Sequence, residues 1–159
     1  DLDILSSSYN DDTIAWYEND GAANPSFSAA NIATSADGAT SVFVADLDSD
    51  GDLDIISSSY LDDAIAWYEN DGAADPSFGA ADIATSADGA YSVFVADLDS
   101  DGDLDILSAS ESDNTIAWYE NDGAANPSFT AADITTGGAN APYASDVRVA
   151  DMDLSLIHI

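Results

Sequence analysis

Two nine-residue segments of the chain, 46–54 and 97–105, carry an aspartate at every second position. Each reads Asp-x-Asp-x-Asp-Gly-Asp-x-Asp, with carboxylates at positions 1, 3, 5, 7 and 9 and glycine at position 6. Calcium prefers about six to eight hard oxygen ligands. Alternate side chains of a tightly curled loop can converge on one ion where glycine lets the chain turn sharply. The spacing therefore predicts two calcium-binding loops.

The predicted ligands are side chains and one main-chain carbonyl in each loop. Positions 1, 3, 5 and 9 supply carboxylates, position 7 supplies its carbonyl, and water completes the shell. The ligand residues are Asp46, Asp48, Asp50, Asp52 and Asp54 in the first loop and Asp97, Asp99, Asp101, Asp103 and Asp105 in the second. Two partial metal loops are also predicted, from Asp1 with Asp3 and from Asp151 with Asp153.

A solvated acidic turn is the alternative interpretation of these segments. It is less favoured because neighbouring carboxylates repel one another, and the same strict alternation occurs twice. An EF-hand is also disfavoured, since it needs a bidentate acid at position 12, where Ser57 and Ser108 stand, and helices on both sides. The residues that flank both segments are typical of strands.

The acidic segments lie within a repeat of 51 residues. The sequence Ile-Ala-Trp-Tyr-Glu-Asn-Asp-Gly occupies 14–21, 65–72 and 116–123. We expect 39–89 and 90–140 to be complete blades, each with a calcium loop. Before them, 1–38 is expected to form the last three strands of a blade. After them, 141–153 is expected to form the first strand of the next blade and the start of its calcium loop. Residues 154–159 depart from the repeat and are expected to be a non-native tail, so that the chain is a piece of a longer protein.

Each period is expected to form four short strands, because Gly, Pro and Asn-Asp-Gly separate runs rich in β-branched and aromatic residues. In the middle repeat the predicted strands are 41–45, 53–58, 64–69 and 77–84, with a turn at 70–72. Segment 42–45 is apolar on both faces, which suits a strand covered by neighbouring sheets. The sequence predicts an all-β fold of tandem four-stranded repeats, a partial β-propeller of about three blades.

The third repeat and the segment after it differ from the earlier copies. Three additional residues around 137–142 predict a longer surface loop. Arg148 stands where Phe43 and Phe94 stand before it. This replacement indicates either a changed neighbour or an exposed edge.

Composition restricts the partners. The chain has 32 acidic residues against one arginine and no lysine, and its formal net charge is -31. Such a charge repels nucleic acids and anionic membranes and favours bound cations. The chain has no cysteine, and His158 is its single histidine, which excludes thiolate metal sites. No apolar run is long enough to span a membrane, so no membrane insertion is expected.

No active site is expected within these residues. Glu18, Glu69 and Glu120 occupy equivalent places in the repeat, whereas a glycosidase needs two acids that are tuned differently in one site. No serine has a plausible base, and no phosphate-binding loop is present. The Trp-Tyr pairs at 16–17, 67–68 and 118–119 could offer sugar-stacking platforms, but core packing is the favoured interpretation.

The acidic loops and the period together resemble the calcium loops of FG-GAP and VCBS repeat proteins, the family that includes the integrin α-subunit propeller. The resemblance covers nearly all of residues 1–153. It implies a propeller in which each calcium loop joins the first two strands of a blade and serves structure or adhesion. A Phe-Gly pair occurs only at Phe78-Gly79, which places the chain nearer to the bacterial VCBS-like repeats than to integrins.

We therefore expect a calcium-binding extracellular β-propeller module for adhesion or ligand binding, secreted or on the cell surface. Calcium has a structural role, and the partner is a protein or a polysaccharide. The alternative is an accessory propeller domain of a larger secreted hydrolase or lyase whose catalytic residues lie outside this chain. A third hypothesis explains the acidic surface by adaptation to a salty habitat.

Overall fold

The computed structural model describes residues 1–136 and 142–152, and these residues form eleven strands in three antiparallel sheets. The first sheet has the order β1-β2-β3, the second β4-β5-β6-β7 and the third β8-β9-β10-β11. The strands are β1 (Ile4–Ser8), β2 (Thr13–Asn19), β3 (Phe27–Ala33), β4 (Ala39–Ala45), β5 (Asp54–Ser59), β6 (Ala64–Asn70), β7 (Phe78–Ala84), β8 (Ala90–Ala96), β9 (Asp105–Ser110), β10 (Thr115–Asn121) and β11 (Phe129–Thr135). The chain is thus an all-β tandem repeat with the architecture of a partial propeller.

The four strands predicted for the middle repeat are all present, with ends displaced by at most two residues. The largest displacement is at β4, which begins at Ala39 because the chain pairs with Ser59 across a register irregularity. Sequential antiparallel strands need only short turns, and the repeat places Gly, Asn and Asp at those turns. No helix that could cross a membrane is found among residues 1–136 and 142–152.

The turn between β6 and β7 shows how the sequence specifies these hairpins. Gly72 has a φ of 67°, a conformation that glycine adopts without strain. The Asp71 carboxylate accepts hydrogen bonds from the backbone N–H groups of Ala73 and Ser77, both at 3.1 Å. The Ser77 hydroxyl also donates to it and is the main cause of the lowered pKa of Asp71. Equivalent contacts form at Asp20 and Asp122.

The core lies between adjacent sheets. The larger cluster joins the second and third sheets, and its fully buried members include Ile56, Ile65, Val93 and Ile106. A smaller cluster around Ile14 joins the first and second sheets. Burial of each such aliphatic side chain contributes about 1.5–3 kcal/mol, so each sheet depends on its neighbour for stability.

Segment 42–45 has neighbouring sheets on both faces, as expected, since Val42 packs against the cluster between the first and second sheets and Phe43 against the cluster between the second and third. Its residues Val42, Phe43 and Val44 are only half-buried, whereas every residue of β5 is buried. Strand β4 lies beside the first sheet, which has three strands, whereas the equivalent edge strand β8 buries Val93 and Val95. Strand β5 lies inside its sheet with neighbouring sheets on its two faces. The same burial pattern recurs in β9.

A row of side chains links the edge strands. The rings of Phe43 and Phe94 are 5.0 Å apart, and the Arg148 guanidinium lies 5.7 Å from the centre of the Phe94 ring. Arg148 also pairs with Asp146 at 2.5 Å, and both side chains are about 60% exposed. The arginine therefore continues the phenylalanine row with a cation-π contact. Most of the insertion around 137–142 and the expected tail 154–159 lie outside the described residues.

Candidate metal centre

The acidic loops join the first two strands of the four-stranded sheets. Residues 46–53 connect β4 to β5, and residues 97–104 connect β8 to β9. Two residues of each loop have left-handed backbone: φ is 60° at Ser49 and 100° at Gly51, then 65° at Ser100 and 102° at Gly102. These two reversals curl the chain. The predicted need for glycine at position 6 agrees with the geometry. The sequence did not indicate that the serine at position 4 also has left-handed backbone.

Each loop brings three carboxylates together. One oxygen of each of Asp46, Asp48 and Asp50 lies within 4.8 Å of the others, and Asp97, Asp99 and Asp101 form the same arrangement. Backbone N–H groups help to position them, since Gly51 donates to Asp46 at 3.1 Å and Asp50 donates to Asp48 at 3.2 Å. The pKa of Asp48 is raised mainly because burial removes solvent from its carboxylate. The negative charges of Asp50 and Asp46 raise this pKa further. Metal binding at such a site displaces protons.

The aspartates at position 9 have a structural task that the sequence did not reveal. The Asp54 carboxylate accepts a hydrogen bond from the Leu47 N–H at 3.1 Å and one from the Asn70 N–H at 2.9 Å. Asp105 does the same for Leu98 and Asn121. Asp54 is 1% exposed, and its burial raises its pKa. Asp54 thus connects the loop to the third strand of its own sheet. It does not belong to the triad of carboxylates, and its role as a calcium ligand stays a prediction.

The side chains at position 7 lie against the hairpin turn. A Cβ built on Gly72 would meet the Asp52 carboxylate at 2.3 Å, and one built on Gly123 would meet that of Asp103 at 2.1 Å. The side chains of Asp52 and Asp103 are therefore in close contact with the glycine of the turn. This position was predicted to offer its main-chain carbonyl, and that assignment also stays a prediction.

Among the partial metal loops, Asp1 and Asp3 occupy positions 7 and 9. Asp3 accepts hydrogen bonds from the Asn19 N–H at 2.8 Å and from the Trp16 indole at 3.0 Å, and Asp1 lies beside Gly21. The contacts of Asp3 with Asn19 and of Asp1 with Gly21 match those of Asp54 with Asn70 and of Asp52 with Gly72. Asp151 is described, whereas Asp153 lies outside the described residues.

The first loop fits a hard cation. The Asp46 Oδ1 atom is buried and has no hydrogen-bond partner, and an unpartnered buried oxygen is costly. The triad offers only carboxylate oxygens, which suit calcium better than softer metals. The single arginine of the chain is engaged with Asp146 and Phe94. A bound calcium ion would satisfy Asp46 and reduce the repulsion between the three carboxylates.

The first loop is more enclosed than the second because the next repeat covers it. Leu47 is 1% exposed and packs into the core between the second and third sheets. Its carbonyl accepts a hydrogen bond at 3.0 Å from the Asn121 side chain, which also donates to Leu104. Sequence reasoning missed this asparagine, although its recurrence at 19, 70 and 121 was a visible signal.

Replacement of Gly72 with alanine is expected to lower the free energy of unfolding by about 1–3 kcal/mol. The added Cβ would collide with Asp52, and alanine would have to adopt a φ of 67°. Urea denaturation of the calcium-loaded protein measures the loss. Gly79→Ala is the control: nothing lies within 4 Å of its Cβ position, so this substitution should change stability by less than about 0.5 kcal/mol. Equal losses in the two variants would contradict the role of Gly72.

The family of the chain is evident from its sequence match. The FG-GAP-like repeat matches three times, over residues 1–57, 49–108 and 97–154. No curated protein and no solved structure matches the chain. The three consecutive matches cover nearly the whole sequence, and the first two each end just after an acidic loop. The chain belongs to the FG-GAP-like repeat family.

Proposed function

We propose that this chain is a calcium-binding β-propeller module outside the cell, that it serves adhesion or ligand binding, and that it carries no active site of its own. The observation that supports this most strongly is the buried, unpartnered oxygen of Asp46 within a triad of carboxylates. FG-GAP-like repeats are typical of extracellular proteins, and calcium reaches millimolar levels outside cells. The placement near VCBS-like repeats stays a prediction.

Calcium would be structural in this module. The loop that holds the triad joins β4 to β5, and its Leu47 packs against the following sheet. An ion held by the triad would fix the curled loop and thereby fix the position of Leu47. Calcium would also offset part of the repulsion within a chain of net charge -31. Stabilisation of the contact between repeats is the expected consequence.

Calcium is expected to raise the melting temperature by at least about 10 °C. Each site contributes about 2.7 kcal/mol when free calcium is about one hundred times the dissociation constant, and about 1 kcal/mol corresponds to about 2–4 °C in a chain of this size. Thermal unfolding followed by circular dichroism, with calcium and after chelation, measures the shift.

Two controls separate this proposal from adaptation to salt. Sodium chloride at matched ionic strength and magnesium at the same concentration should each give less than about half of the calcium effect, because magnesium keeps its water shell and demands tighter geometry. An equal rise in sodium chloride would instead support a salt-adapted acidic surface.

A further inference from the structure

Three tyrosines form a row across consecutive repeats, at the end of the sheets opposite the acidic loops. Tyr9 begins the turn between β1 and β2, Tyr60 begins the turn between β5 and β6, and Tyr91 lies near the start of β8. The ring centres of Tyr9 and Tyr60 are 6.2 Å apart, and those of Tyr60 and Tyr91 are 6.3 Å apart. The rings of three different sheets thus adjoin one another, with the first pair tilted by 50° and the second pair nearly perpendicular at 88°.

The row does not belong to the core. Tyr9 is 43% exposed and Tyr91 is 41% exposed, in contrast to Tyr68 and Tyr119, which are buried between sheets. Beside Tyr60 the surface forms a groove of about 450 Å³, which Tyr143 also lines. Contiguous exposed aromatic surface beside a groove is typical of a binding site.

Tyr143 supplies an independent indication of function. Its N–H donates to the Asn114 side chain at 2.7 Å, just as Gly38 and Gly89 donate to Asp12 and Asp63. The two glycines and Tyr143 all have left-handed backbone, with a φ of 57° at Tyr143. A bulky residue in that conformation is strained, and glycine meets the same structural need in the earlier repeats. The strain is retained for an aromatic ring that is 74% exposed and lines the groove.

The groove is lined by two tyrosine rings together with hydroxyl groups and hydrogen-bond acceptors. The Ser112 hydroxyl donates to the Tyr60 hydroxyl at 3.5 Å, and Glu111 and Asn114 complete the polar lining. None of the described lining residues is a cation, so sulfated or carboxylated polymers would be repelled. Neutral sugars match this surface, because their C–H faces stack on tyrosine rings and their hydroxyl groups donate to carboxylates.

We propose that the surface formed by Tyr9, Tyr60, Tyr91 and Tyr143 binds a neutral polysaccharide. An extended ligand with a repeating unit fits a row in which Tyr9 and Tyr60 occupy equivalent positions of successive repeats. The inference rests on the proposed ligand-binding function and names the class of ligand. A basic peptide is disfavoured because the acidic charge would attract it over the whole surface rather than at this row.

Calorimetric titration of the calcium-loaded chain with a panel of neutral hexasaccharides (cellohexaose, maltohexaose, chitohexaose and mannohexaose) tests this proposal. At least one should bind, and Tyr60→Ala should weaken its affinity about fivefold, the effect of one aromatic contact of moderate strength. Phe27→Ala is the matched control, because Phe27 is also 43% exposed but lies at the other end of the sheets, at the start of β3. It should leave the affinity unchanged.

Tyr143→Gly separates binding from folding. This variant should raise the melting temperature, because it relieves the left-handed backbone, and should weaken the hexasaccharide about fivefold, because it removes a ring. An alginate hexamer and an arginine-rich peptide should not compete for the row. The proposal is overturned if no neutral hexasaccharide binds, if Phe27→Ala weakens binding as much as Tyr60→Ala, or if the peptide displaces the sugar. If calcium does not bind, the sugar titration is repeated in calcium-free buffer on a chain whose β-structure is checked by circular dichroism, so that the two failures are read separately.

Discussion

Replacement of Leu47 with alanine is expected to lower the free energy of unfolding by about 2–5 kcal/mol. Leu47 follows the first predicted calcium ligand, yet it is 1% exposed and packs with Trp67, Val95 and other members of the core between two sheets. Truncation would leave a cavity at this contact, and the surrounding strands can collapse around it only in part. Urea denaturation in saturating calcium measures the loss.

The equivalent residue of the next repeat provides the control. Leu98 has the same position in its loop but is only partly buried. Leu98→Ala should therefore lower the free energy of unfolding by less than half as much as Leu47→Ala. We also expect Leu47→Ala to weaken calcium binding at the first loop more than Leu98→Ala weakens it at the second. Similar losses in stability would contradict the claim that packing between repeats positions the first loop.

Asp54→Ala is expected to destabilise the chain by about 3 kcal/mol or more, even though it removes one negative charge from an acidic loop. The substitution leaves the N–H groups of Leu47 and Asn70 without their acceptor in a site that is 1% exposed. Each unsatisfied buried donor costs about 1–3 kcal/mol. Denaturation in the absence of calcium isolates this effect from any contribution to metal binding.

Asp3→Ala is the matched variant for this experiment. Asp3 accepts the equivalent hydrogen bond from Asn19, but it is exposed, so water can replace the lost acceptor. Asp3→Ala should therefore lower the free energy of unfolding by about 1 kcal/mol or less. If Asp54→Ala instead stabilised the calcium-free chain, relief of repulsion would be the dominant effect, and the bridging role of Asp54 would be wrong.

Much of the fold could be predicted because its signals are local. Turn residues separate runs with strand propensity, and the near-identical copies fix the period, so the strands of the middle repeat were placed to within two residues. The half-burial of β4 was not predictable from its apolar residues. It depends on how fully the neighbouring sheets cover the strand, which is a tertiary property, since the equivalent strand β8 buries Val93 and Val95.

The candidate metal site could be predicted only in part. The spacing of the aspartates correctly indicated that residues at positions 1, 3 and 5 converge. It did not reveal that Asp54 bridges Leu47 and Asn70, since residue 70 lies in a different strand of the sheet. The same limit applies to Asn121, which contacts the first loop from the next repeat, and to Tyr143, whose strain depends on its backbone.

Calcium titration by calorimetry, on the wild-type chain and on the double variant Asp46→Ala/Asp97→Ala, tests the central claim most directly. The control is Asp75→Ala/Asp133→Ala, which removes the same charge from exposed positions outside the loops. We predict binding of about two calcium ions per chain by the wild type and by the control, with the tighter site in the first loop, and loss of both sites in the double variant. If the double variant binds calcium as the wild type does, or if the wild type binds none, the acidic loops are solvated turns and the calcium-binding function is wrong.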